Sequence, residues 1–189
     1  MLYKPVGFLS QLRSNDPKEI GKKDLLSALY DFPEGVMVIG RLDFKSEGLL
    51  LLTDKGKLAD QVNRSGVEKE YWVMLDGEIS DRALSQLGSG MGISLHGKPY
   101  KTKPCKVERL ADPIGLPPPD AALRIERHRK GSWIKITLTE GKFRQIRKMT
   151  AGLGYPTQRL IRMRIGSLHL GDLVTGAVKA ISLEAHFSP

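Results

Sequence analysis

Asp43 stands in a short turn between two apolar runs, VMVI (36–39) and GLLLLT (48–53), with Arg41 two residues ahead of it. A carboxylate there is held by a rigid scaffold and stays open on one side. Most turn aspartates bond nearby backbone N–H groups and are structural, so position alone leaves a structural and a catalytic reading both open. A reactive carboxylate in basic surroundings needs a cation to keep it ionised, and Arg147 is the candidate. No second carboxylate is evidently paired with Asp43, which argues against two-carboxylate glycosidase chemistry. Tyr71 and Trp72 are neighbours in an alternating segment and therefore face opposite ways. One belongs to the core and the other can face a cleft. Arg162 and Arg164 have few acids nearby and read as phosphate contacts, not ion-pair partners.

These side chains need elements to hold them. The spacing of Leu25, Leu26 and Leu29 predicts a helix over 24–31. VMVI and GLLLLT read as strands on either side of the Arg-Leu-Asp turn, the second buried on both faces. Residues 54–63 read as a helix, 69–78 as a strand, and 80–89 as a helix with Ser80 as its N-cap. Residues 100–110 read as a strand carrying Pro104 at an edge or bulge. A proline-rich loop follows (111–122), then a hairpin of ALRIERH (122–128) and SWIKITLT (132–139). Residues 141–156 read as a helix with Phe143, Ile146, Thr150 and Leu153 on its apolar face and Arg144, Arg147 and Lys148 off it. QRLIRMRIGSL (158–168) reads as a strand with one apolar and one basic face. Tyr3, Lys4 and Pro5 read as a strand end and nothing more. The pattern is mixed α+β without repeats.

Charge points to the partner. The chain carries 30 Lys and Arg against 21 Asp and Glu. Between Arg124 and Arg164 there are twelve basic residues and only two acidic ones, more than the whole excess of nine. Such a concentration is the footprint of a polyanion surface. Its alternation with apolar residues favours nucleic acid over membrane. The four histidines lack metal-pair spacing and Cys105 is the single cysteine, so no structural metal and no internal disulfide are expected. With no signal segment and no long apolar stretch, the expected location is the cytoplasm.

GRLDFKSEGLLLLT (40–53), YKPVGFLS (3–10), EKEYWV (68–73) and TEGKFRQIRKMTAGLGYPTQRLIRMRIGSL (139–168) together resemble the RsuA-type ribosomal RNA pseudouridine synthases. The resemblance covers nearly the whole chain and is strongest to the branch that modifies large-subunit rRNA. It implies a pseudouridine synthase fold: a mixed, mostly antiparallel, bisected sheet with flanking helices, in two subdomains (1–66 and 67–189) around a cleft. It implies isomerisation of uridine to its C-glycoside in rRNA, with no cofactor and no metal, by a monomer. Asp43 is then the carboxylate that attacks the sugar or assists elimination to a glycal, and both routes stay open. Arg147 pairs with it, Ile146 packs on the base, and Tyr71 stacks on the uracil and is a candidate proton acceptor. Arg41 fills the gap left by the flipped base or holds its phosphate. The basic stretch from Lys142 to Arg164 (Lys142, Arg144, Lys148, Arg159, Arg162 and Arg164) clamps the RNA backbone. The first family motif begins at Tyr3, so no S4-type domain is expected. Ser46 stands where many relatives have threonine. A non-catalytic assembly factor would have lost Asp43, Tyr71 or Arg147, and a nucleic-acid N-glycosylase would release free base.

Overall fold

The computed structural model describes residues 1–16, 23–64, 66–125 and 129–187. In chain order the strands and helices are β1 (Leu2–Lys4), β2 (Phe8–Leu9), β3 (Asp24–Leu25), β4 (Met37–Ile39), β5 (Glu47–Thr53) and α1 (Gly56–Arg64). Then come β6 (Lys69–Leu75), α2 (Asp81–Ser89), β7 (Gly92–Leu95), β8 (Lys98–Lys101), β9 (Lys106–Leu110) and β10 (Ser132–Leu138). The chain ends with α3 (Gln145–Gly152), β11 (Thr157–Ile165), β12 (Leu168–His169) and α4 (Glu184–Phe187). Strand pairing is mixed and mostly antiparallel, the α+β class expected. The chain divides into two units, one of Met1–Val67 with Ile161–Pro189, the other of Glu68–Leu160. No helix among the described residues is long and apolar enough to cross a membrane.

In the first unit β5 is the central strand. Consecutive residues of a strand face opposite ways, and Leu49, Leu50 and Leu51 are all fully buried, so both faces are covered. Each such leucine contributes roughly 1.5–3 kcal/mol of gross burial energy. β1 and β4 pair antiparallel with β5, and the second half of β11 pairs parallel with it at Ile161↔Glu47 and Arg162↔Gly48. Leu2, Leu26 and Leu50 centre a core that also takes in Phe8, Phe32 and Val178. Residues 176–179 run beside β1, through hydrogen bonds from Tyr3 N to the Ala177 carbonyl (3.0 Å) and from Lys179 N to the Met1 carbonyl (2.8 Å). The expected division after residue 66 therefore differs in its second part: residues 161–189 return to the first unit.

The helix expected over 24–31 is only a 3-10 turn, Leu26–Ala28, because Asp24 and Leu25 pair with β2 and the Leu26 amide donates to the Gln11 carbonyl. Eight residues are too few to sustain a helix against such competition.

In the second unit β10 lies between β6 and β9, antiparallel to both. Lys135 and Glu108, opposite each other in register, form an ion pair. With both edges of β10 taken, residues 122–125 are not strand, and the rest of the ALRIERH arm of the expected hairpin, 126–128, lies outside the described residues. Pro104 sits between β8 and β9 and divides the strand expected over 100–110. Ser80 caps α2 as expected, accepting from the Ala83 amide at 3.3 Å. α3 begins at Gln145, later than expected, because Arg144 adopts a left-handed backbone that ends any helix there. Gln145 locks this entry: its Oε1 accepts from the Lys142 amide (3.0 Å) and its Nε2 donates to Glu140 (2.7 Å). Phe143 is consequently turned outward and is not on the apolar face.

Candidate active site

β4 and β5 pair from Met37↔Thr53 to Ile39↔Leu51, so residues 40–46 form the loop that joins them and carries Asp43. A free loop of this length would sample many conformations; this one is pinned at nearly every carbonyl. The Arg41 carbonyl accepts from Arg162 Nη1 (3.4 Å), and the Leu42 carbonyl from Ser10 Oγ (2.9 Å). The Asp43 carbonyl accepts from the Ser46 amide (2.9 Å), and the Phe44 carbonyl from the Gly7 amide (2.9 Å). The Ser46 carbonyl accepts from Lys4 Nζ (2.8 Å). Ser10 also accepts from the Leu42 amide at 2.9 Å, holding that residue at both ends. Asp43 is half-buried and Arg41 exposed at the rim.

Behind the loop lies a buried polar layer. Tyr3 Oη donates to Glu47 Oε2 (2.9 Å), and Glu47 is buried. Lys4 is fully buried, its ammonium donating to the Pro5 carbonyl (2.7 Å) as well as to Ser46. Burial pushes the Lys4 ammonium down to about 7; Glu47 and Asp43 pull it upward, while Arg162 adds to the depression. Arg162 is likewise buried and donates from Nε to the Leu49 carbonyl at 2.7 Å. Arg162 thus holds the start of the loop and the strand beyond it. Its backbone also presses on Gly48, whose φ is +105° and where any Cβ would collide with the Arg162 carbonyl and amide. None of Tyr3, Lys4, Ser10 or Glu47 was singled out by sequence reading. A lysine within a three-residue strand next to proline is a faint signal, legible only once its burial is known.

The second unit carries the other expected catalytic groups. Tyr71 is buried in β6, opposite Ile136 of β10, while Trp72 is half-buried and donates from Nε1 to Glu70. Ile146 and Arg147 lie in the first turn of α3. Ile146 is buried, and Arg147 is half-buried with Nη1 donating to the Thr157 carbonyl at 3.2 Å. That bond ties the guanidinium to the first residue of β11, and Thr150 and Thr157 reinforce it with a hydroxyl pair 2.8 Å apart.

The expected RNA clamp divides by burial. Lys142 and Arg144 are exposed, and Lys148 is half-buried with Nζ donating to the Ser94 carbonyl (2.6 Å). Arg159 and Arg162 are buried, and Arg164 is half-buried with Nη1 on the Gly166 carbonyl (2.7 Å). β11 therefore has no open basic face: the strand is covered on both sides, and Arg162 directs Nε and Nη1 to protein carbonyls while Nη2 is buried without a hydrogen-bond partner among the described residues. This revises the reading of Arg162 as a phosphate contact.

Comparison with known proteins bears on the family and the fold. Residues 1–152 match the RNA pseudouridylate synthase family. A ribosomal large subunit pseudouridine synthase E from Xanthomonas campestris pv. campestris is 39% identical over 180 residues, spanning 93% of this chain and 91% of the relative. Its counterpart from Vibrio parahaemolyticus is 37% identical over 182 residues, 95% of this chain and 72% of the relative. A crystal structure of a pseudouridylate synthase superposes with a TM-score of 0.75 at 27% identity, over 97% of this chain and 70% of that one. A rigid aspartate loop on a leucine strand, in a chain with these relatives, has one classification: the protein belongs to the RNA pseudouridylate synthase family.

Proposed function

We propose that this pseudouridine synthase isomerises a uridine of large-subunit ribosomal RNA, with Asp43, Tyr71 and Arg147 as its catalytic residues. The observation that carries the assignment of Asp43 is its loop, whose carbonyls at 41, 42, 43, 44 and 46 are each engaged by a donor. Such immobilisation suits a carboxylate that must meet one sugar carbon in one orientation. The reaction breaks the C1′–N1 bond, turns the uracil, forms C1′–C5, and transfers the C5 proton away while N1 gains one. Nothing is oxidised or reduced, so the chain can run it with its own side chains, as a monomer in the cytoplasm.

Asp43 either attacks C1′ or assists loss of the 2′ proton to a glycal, and in both cases it is the one carboxylate required. The uridine must first leave its stack, at a cost of a few kcal/mol. Arg41, exposed at the rim of the loop, is suited to the vacated space or the flanking phosphate. Tyr71 offers a ring for the uracil and an oxygen for the C5 proton. Arg147, positioned by the Thr157 carbonyl, supplies the cation of the reaction. The exposed Lys142 and Arg144 and the half-buried Lys148 are the backbone contacts.

The test is tritium release from C5-tritiated uridine in 23S rRNA, naked or in immature particles. Wild type should release tritium and leave the RNA intact, and Asp43→Ala should release none above background. Wild type that frees no tritium from either substrate would overturn the assignment.

A further inference from the structure

Among the described residues two non-glycines have a left-handed backbone, His96 (φ 51°) and Arg144 (φ 53°), and both serve the same spot of the second unit. His96 stands in the turn between β7 and β8, and β7 packs on α3. Arg144 directly precedes α3. The His96 ring stacks on Phe143, centroids 5.6 Å apart and planes 21° from parallel. Even so, Phe143 is 56% exposed. Unfavourable backbone at non-glycine residues persists where the surrounding structure holds it, and it gathers at ligand sites. Here it turns Phe143 out of the helix core and presents His96 to it from the hairpin.

The surroundings select the ligand. Lys148 Nζ lies 5.1 Å from the Phe143 centroid. Lys98, Lys101, Lys142 and Arg144 are exposed on the same hairpin and helix entry. The one acid of these segments, Glu140, already accepts from Tyr100 Oη, the Lys103 amide and Gln145 Nε2. A protein side chain could cover the rings but brings no phosphate to the exposed lysines. Duplex RNA would match the cations but has its base faces closed. An unpaired nucleotide supplies both a π-face and a phosphate.

We propose that His96 and Phe143 are a stacking platform for an unpaired base of the RNA, other than the target uridine, with Lys142 and Arg144 taking its phosphates. This rests on the RNA-modifying reading above and extends it: the enzyme selects an unpaired neighbour by stacking, at a site four residues ahead of Arg147.

The probe is a short single-stranded RNA carrying 2-aminopurine, compared with the same strand annealed to its complement. Wild type should quench the fluorophore in the single strand. Phe143→Ala should abolish quenching and weaken single-strand binding about tenfold, with little change on the duplex, while Phe143→Trp should keep both. Equal affinity of wild type and Phe143→Ala, equal losses on single strand and duplex, or no quenching by wild type would each overturn the platform. Tritium release by wild type separates the two claims. Release together with unaltered Phe143→Ala binding removes the platform alone, whereas no release removes the enzymatic reading and the platform with it.

Discussion

Lys4 shows how a single residue can be structural and electrostatic at once. Its ammonium joins the carbonyls of Pro5 and Ser46, and so ties β1 to the Asp43 loop. Burial lowers its pKa from 10.5 to about 7, so in the folded protein the ammonium gives up its proton far more readily than in the unfolded chain. Between those two values the unfolded state binds more protons, and stability rises with pH. The contribution is complete above 10.5 and is lost as pH falls through about 7. The expected outcome is that the stability difference between wild type and Lys4→Met, read by urea unfolding, grows by a few kcal/mol from pH 6 to pH 10. A difference independent of pH would mean that Lys4 stays charged throughout.

Loop 40–46 is rigid because neighbouring elements supply its hydrogen bonds, not because of its own composition. β1 sends Lys4, the following segment sends Gly7 and Ser10, and β11 sends Arg162. The parallel pairing of β11 with β5 requires glycine at 48, where backbone meets backbone. Gly48→Ala should therefore cost roughly 2–4 kcal/mol, combining left-handed strain with overpacking. Gly7 has φ +87° with nothing within 4 Å of its missing Cβ, so Gly7→Ala should cost about 1–2 kcal/mol, from strain alone. Chemical denaturation of the two variants separates the terms; equal losses would show that close approach at Gly48 is unimportant.

At the scale of the whole molecule, charge and burial must be read together. The basic segment from Arg124 to Arg164 looks like one RNA surface, yet Arg159 and Arg162 lie inside the protein. Exposed cations release counterions from a polyanion, whereas the buried Arg162 holds the Leu49 and Arg41 carbonyls. Replacing Lys142 and Arg144 by alanine should reduce the slope of log affinity against log salt by about 0.7–0.9 per residue. Arg162→Ala should leave that slope unchanged and lower turnover, because it frees the loop that carries Asp43. Affinity measured across a salt series, with tritium release on the same variants, checks both; a flatter slope for Arg162→Ala would return it to the RNA surface.

Local pattern determined much of this protein. The leucine run declares a strand buried on both faces, Ser80 declares a helix start, and the motifs around Asp43, Tyr71 and Arg147 declare the family, since each depends on residues close in sequence. Phe143 and the strand expected to begin at 122–125 were misread for the same reason: helical and strand periodicity ignore a left-handed turn at Arg144 and the strands that already occupy both edges of β10. The supports of Asp43 were illegible, because Lys4, Ser10 and Arg162 reach the loop from 39, 33 and 119 residues away along the chain. Sequence alone determined the family and the candidate residues. Tertiary structure decided which arginines are framework, which aromatic ring faces solvent, and what holds the aspartate still, because burial and hydrogen bonding are properties of neighbours that only the folded chain brings together.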